Sequence, residues 1–189
     1  MLSRKEWIAE NANFAREVTA NTGIFPETLL AIAIVESQGM INGQYYPGAS
    51  RLAKEGNNYF GIKKSAGWNG ATITLPTPND ADKISIFRKY PNFKASAQDF
   101  VKFLQQNQRY TNAGVFSAPN YVEQILSIAR AGYAESTTYA EIITKVATSV
   151  KNQIDKIVAP IVKNNAAIPL MIAGLILSLY FISKKLQNA

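Results

Sequence analysis

The sequence contains neither cysteine nor histidine. Without cysteine there is no disulfide and no thiolate nucleophile or ligand, an absence compatible with any compartment. Without histidine there is no histidine-based triad, no imidazole metal site and no imidazole proton shuttle. Proton transfer near neutral pH must therefore fall to carboxylates or tyrosine. Acids are themselves scarce, with 13 Asp and Glu against 20 Lys and Arg, a net charge of +7. That balance favours an anionic partner. The basic residues are scattered, however, with doublets only, such as Lys63–Lys64 and Lys184–Lys185. A stripe built to track phosphates is more clustered, so no nucleic-acid partner is expected. No metal or cofactor is expected either.

What is present is an ordinary globular composition with a generous aromatic share, nine Tyr and nine Phe in 189 residues. This length fits one domain of about 100–150 residues plus an appendage. Trp7, Ile8, Phe14 and Val18 recur at helical spacing among charged residues, giving an amphipathic first helix that ends near Asn21-Thr22-Gly23. That pattern is not a secretory signal. Pro26 and Glu27 open a second helix, proline being tolerated in the first turn and acid suiting the N-terminal dipole. Its residues 29–35 are apolar on every face, which places it in the centre of the fold. From Gly39 to Gly56 the composition reads as irregular. Thr72–Leu75 and Ile84–Phe87 flank a P-T-P-N-D turn cluster and predict a small β-hairpin. Helical patterning returns at 94–108, 119–130 and 137–150.

The C-terminal part differs. Ala166 to Ile182 carries no charge and is flanked by Lys163 and Lys184. As a helix it spans about 25 Å, against about 30 Å of hydrocarbon. Lysine snorkelling covers the shortfall, and Tyr180 and Phe181 suit an interface. A buried core helix is the other reading of such a run, but the domain is complete before it. The expectation is a membrane anchor at 166–183, preceded by a connector at 148–165 that lies partly helical along a bilayer surface.

The most informative residue is Glu36. It closes the apolar run L-L-A-I-A-I-V-E-S (29–37), and N-N-Y-F-G-I-K (57–63) follows about twenty residues later. A helix delivering a carboxyl from apolar surroundings next to an aromatic, glycine-containing loop can build a carbohydrate-cleaving acid, because burial raises a carboxyl pKa. An exposed helix terminus is the alternative reading of the same residue.

V-E-S-Q-G-M (35–40), N-N-Y-F-G-I-K (57–63), Gly67-Trp68-Asn69-Gly70, F-R-K-Y (87–90) and A-G-Y-A (131–134) occur in that order. Together they resemble the glucosaminidase domain of glycoside hydrolase family 73, endo-β-N-acetylglucosaminidases that cut bacterial peptidoglycan. The resemblance covers roughly residues 5–147. It implies an α+β, mainly helical, lysozyme-like domain at 1–147 with a small β-hairpin lobe and a glycan groove between lobes. The family's catalytic acid falls on Glu36. Asn57 to Lys63 become a groove wall, with Asn58 and Gly61 approaching the substrate, Tyr59 stacking on sugar and Phe60 either stacking or core. Trp68 either lines the groove or anchors the hairpin. Tyr133 matches the tyrosine of the family's Y-A-T-D-P pattern, which implies a catalytic phenol beside the scissile bond, although Glu135-Ser136-Thr137 follows here and the pattern's Asp and Pro are absent.

The second carboxylate is the departure. Two-acid glycosidases place their carboxyls either about 6.5–9.5 Å or about 5–5.5 Å apart. The family's hairpin Glu corresponds to Pro78 here, leaving Asp80 and Asp82 as stand-ins or as plain turn residues. A route through the substrate's own 2-acetamido group needs no second protein acid. The function expected is peptidoglycan hydrolysis at N-acetylglucosaminyl β-1,4 bonds, with peptidoglycan and a lipid bilayer as partners. The settings expected are a phage virion membrane, beside other virion proteins, or the bacterial cell envelope. A lytic transglycosylase, or an inactive glycan-binding membrane protein on the same fold, are the alternatives.

Overall fold

The computed structural model describes the backbone of residues 1–77, 80–134 and 138–164 and the side chains of 1–76, 83–134 and 138–156. The 166–183 stretch expected to be an anchor lies outside them. Among the described residues no helix is long and apolar enough to cross a membrane.

Helix α1 (Arg4–Thr19) opens with a reciprocal capping box: Ser3 N–H donates to Glu6 Oε2 at 2.8 Å, and Glu6 N–H to Ser3 Oγ at 3.3 Å. Its buried face is Trp7, Ile8, Ala12 and Ala15, while Phe14 remains 42% exposed. The two alanines let α1 lie close against the next helix. Helix α2 (Pro26–Ser37) starts at Pro26 as expected and packs against α1 and α6. Leu29, Leu30, Ile32 and Ile34 are wholly buried in it. Such burial contributes roughly 1.5–3 kcal/mol per side chain, which makes α2 the axis of the fold.

The 39–56 segment is more ordered than its composition implies. Strands β1 (Gly39–Ile41) and β2 (Gln44–Tyr46) form a tight antiparallel hairpin, and α3 (Arg51–Gly56) follows, capped by the Ser50 side chain. The hairpin turn is Asn42-Gly43, both at positive φ, as the twist of a two-residue hairpin demands. The second hairpin is the one the sequence predicts, β3 (Thr72–Thr77) against β4 (Asp80–Arg88), in register Thr72↔Arg88 to Pro76↔Ile84 with a shift after Pro76.

Helices α4 (Phe93–Gln106), α5 (Gln108–Asn112) and α6 (Tyr121–Arg130) complete the helical side, with a 3-10 turn at Val115–Ser117. Asn92 and Asn120 cap α4 and α6 through their side chains. Helix α7 runs from Tyr139 to Asn164, and the compact unit Met1–Gln153 ends within it.

Candidate active site

Glu36 sits in the last turn of α2, and several contacts fix where that turn ends. Ser37 Oγ accepts from Gly48 N–H at 2.9 Å, and Ser37 O accepts from Ser50 N–H at 2.9 Å. A Cβ on Gly39 would meet the Ala49 carbonyl carbon at 2.6 Å, so only glycine lets the 48–50 loop close over the helix end. The carboxyl is therefore delivered by a helix anchored at its end and buried through residues 28–34.

Glu36 is half-buried, not the exposed terminus of the alternative reading. Burial raises its pKa above the ordinary 4.5, and the Tyr139 phenol opposes that rise. The negative end of the α2 dipole also disfavours the charged form. Among the described residues the buried Tyr139 hydroxyl lies outside ordinary hydrogen-bond geometry to a partner, and its pull on the carboxylate is the weaker influence.

The opposite wall is the 57–63 loop. Asn58, 1% exposed, is its keystone: its amide donates to Ile62 O and Arg88 O, both at 2.9 Å. Its side-chain oxygen accepts from Phe60 N–H at 3.3 Å and Ile62 N–H at 3.1 Å. This folds the loop back and puts Gly61 at φ +65°, where a Cβ would stand 3.9 Å from Glu36 Oε2. Phe60 is core, stacked on Phe100 at 4.3 Å and 6°.

Tyr133 enters from α6. Gly132, at φ +76°, ends that helix in a Schellman arrangement, with Gly132 N–H on Ala129 O at 2.9 Å and Tyr133 N–H on Ile128 O at 3.3 Å. The Tyr133 hydroxyl then donates to Phe60 O at 2.8 Å. Burial, with the Glu36 charge nearby, holds this phenol well above its ordinary 10.0, so it stays a donor.

Glu36, Phe60, Gly61 and Tyr133 thus line one cavity of about 340 Å³. Lys63, Arg88, Arg109 and Tyr110 complete most of its wall. The wall of this cavity does not include three of the expected substrate contacts, Asn58, Tyr59 and Trp68. Asn58 spends its amide on the loop and has nothing left for a glycan. Tyr59 points to the other side and lines a separate cavity of about 420 Å³ with Trp7 and Phe93. Trp68 takes the second of its two expected places, beside the hairpin: its indole N–H donates to Ala71 O at 3.0 Å, and the Arg88 guanidinium lies 4.7 Å over its ring. The side chains of Asp80 and Asp82 fall outside the described residues. Tyr139 and Arg109 belong to the site although nothing in their sequence surroundings marks them. Among the described residues no group of three or more acids gathers to hold a metal ion.

A half-buried carboxyl of raised pKa facing a glycine wall and a tyrosine is the equipment of a glycosidase acid, and comparison with known proteins bears on which kind. The family model described as glucosaminidase, mannosyl-glycoprotein endo-beta-N-acetylglucosaminidase, matches residues 12–152. The chain belongs to the glucosaminidase family. It is 33% identical over 157 residues to the peptidoglycan hydrolase FlgJ of Pseudomonas aeruginosa, covering 79% of this chain and 37% of the relative. To the peptidoglycan hydrolase FlgJ of Vibrio cholerae it is 32% identical over 159 residues, covering 82% and 45%. The glucosaminidase chain thus spans less than half the length of these curated relatives. Its fold matches the solved glycoside hydrolase domain of Salmonella typhimurium FlgJ with a TM-score of 0.64 at 24% identity, over 88% of this chain and 99% of that one. The fold is accordingly a mixed, lysozyme-like glycoside hydrolase fold with small antiparallel hairpins.

Proposed function

We propose that this glucosaminidase hydrolyses the glycan strands of peptidoglycan at N-acetylglucosaminyl β-1,4 bonds, with Glu36 as general acid. The observation that carries this reading is the half-buried Glu36 carboxyl, raised in pKa, facing Gly61 and Tyr133 across one cavity. A carboxyl of raised pKa keeps its proton to higher pH than an ordinary one and can give it to the glycosidic oxygen as the C1–O bond breaks. Tyr133 keeps the glycine wall in place beside it. Water then adds to the anomeric carbon, assisted by Asp80 or Asp82 from the hairpin or after closure of the substrate's 2-acetamido group onto that carbon. Turbidity and zymogram assays on bacterial walls test the reading. The wild type should clear them and Glu36→Gln should not. A wild type that binds walls without clearing them defeats it in favour of an inactive glycan-binding protein.

Among the described side chains Glu36 is the one carboxylate lining its cavity, which favours a second reading, lytic transglycosylation. That reaction leaves a 1,6-anhydro-muramyl end where hydrolysis leaves a reducing N-acetylglucosamine.

The uncharged stretch 166–182 with its flanking lysines supports attachment to a bilayer through 166–183. A phage virion membrane, where the domain opens the wall during entry, is the setting proposed; the bacterial envelope is the other. Flotation of the full chain with lipid vesicles tests the attachment. Its absence from purified particles of its source would rule out the virion setting.

A further inference from the structure

The cavity around Glu36 is basic. Its described wall holds Lys63, Arg88 and Arg109 and no carboxylate besides Glu36 itself. These cations are not equivalent. Arg88 is neutralised by Asp99 at 2.7 Å and tied to Ser65 Oγ at 3.0 Å, so it clamps β4 to α4. Among the described residues Arg109 has no such counterion. Its guanidinium donates from Nη2 to the Tyr110 hydroxyl at 2.7 Å and from Nη1 to Gly132 O at 3.3 Å, and lies 4.7 Å over the Tyr110 ring. A charge held by a ring, a hydroxyl and a backbone carbonyl has lost much of its conformational freedom and keeps donors to spare. The Arg109 side chain is exposed at the cavity mouth, as is that of Lys63.

A β-1,4 chain of N-acetylated sugars alone is neutral and gives such a pair nothing to bind. A muramyl unit carries a carboxylate, either on its lactyl ether or on the peptide stem that replaces that acid. We infer that Arg109, with Lys63, forms a carboxylate-reading site at the mouth of the Glu36 cavity that selects glycan strands bearing acidic muramyl units over neutral ones. This rests on the hydrolase reading above and adds the chemical feature by which the substrate is chosen. A planar guanidinium matches a carboxylate through paired hydrogen bonds, which a lysine alone cannot do.

The test compares kcat/KM of the full-length protein on three soluble strands: stem-bearing, stem-free with the lactyl carboxylate exposed, and stem-bearing with every carboxylate amidated. The wild type should prefer carboxylate-bearing strands over the amidated one by about tenfold, the range of one charge-assisted hydrogen-bond pair. The preference should shrink at high salt. Arg109→Gln should bring the ratio close to one, Arg109→Lys should restore part of it, and Lys63→Gln should lower it less. A preference confined to stem-bearing strands assigns the peptide carboxylate as the group read, and one shared with stem-free strands assigns the lactyl carboxylate. Equal wild-type rates on acidic and amidated strands overturn the inference alone. So does an Arg109→Gln variant that loses rate on all strands in the same proportion. Failure to cut any strand overturns the hydrolase reading, and this inference with it.

Discussion

The Tyr133 hydroxyl donates a 2.8 Å hydrogen bond to the carbonyl of Phe60, 73 residues earlier in the chain. It joins the end of α6 to the loop whose next residue, Gly61, faces Glu36. The phenol is thus a spacer across the site, held protonated by its burial. Tyr133→Phe keeps the ring contacts with Phe100 and Tyr139 and removes only this bond. It should cost about 1–2 kcal/mol in urea unfolding. The kcat should fall more than that loss implies, because Gly61 is no longer held against the carboxyl.

Asn58 should prove structural rather than substrate-binding. Asn58→Ala removes four hydrogen bonds and strands buried backbone groups of Phe60, Ile62 and Arg88. A loss of about 3 kcal/mol is expected in chemical denaturation, with activity lost through the loop. A variant of wild-type stability and raised KM would instead restore Asn58 to the substrate.

Glu36 should cost the fold stability at neutral pH. Its pKa is raised in the native state, so above the ordinary 4.5 the unfolded chain binds fewer protons than the native one. Native stability from this group therefore falls as pH rises from the ordinary value through the raised one, and the penalty vanishes below both. Glu36→Gln should raise Tm at neutral pH and leave it nearly unchanged well below the ordinary value. A variant less stable than wild type at neutral pH would contradict the burial argument.

Tyr139 should tune the acid. Its phenol favours the charged form of Glu36, so Tyr139→Phe should raise the carboxyl pKa further. The alkaline limb of the pH–rate profile, where the general acid loses its proton, should move to higher pH. A purely packing role would lower rates without moving that limb.

Much of this site was legible because its carriers are local patterns. The 29–35 run admits no surface face, so a buried α2 with Glu36 at its end followed from periodicity, and Pro26 marked its start. The β3–β4 hairpin was announced by β-branched residues around a turn cluster. The direction of Tyr59 was not readable, because adjacent loop aromatics diverge: Phe60 stacks on Phe100, while Tyr59 turns to Trp7 and Phe93. That divergence is set by the hydrogen bonds of Asn58, a tertiary arrangement with Arg88 30 residues away. The β1–β2 hairpin did leave a trace, the Asn42-Gly43 pair, masked because each strand is only three residues long. Arg109 and Tyr139 left none: the packing of α5 against α4 brings Arg109 to the cavity wall, and Tyr139 meets Glu36 from the first turn of α7.

The central claim is that Glu36 gives its proton to an N-acetylglucosaminyl bond of peptidoglycan that is then hydrolysed. Mass spectrometry of walls digested by the wild type and by Glu36→Gln tests it most directly. The expected result is fragments ending in a reducing N-acetylglucosamine from the wild type, and a release lower by about 10²–10⁴-fold from the variant. Fragments ending in 1,6-anhydro-muramic acid, or equal release by the two proteins, would contradict it.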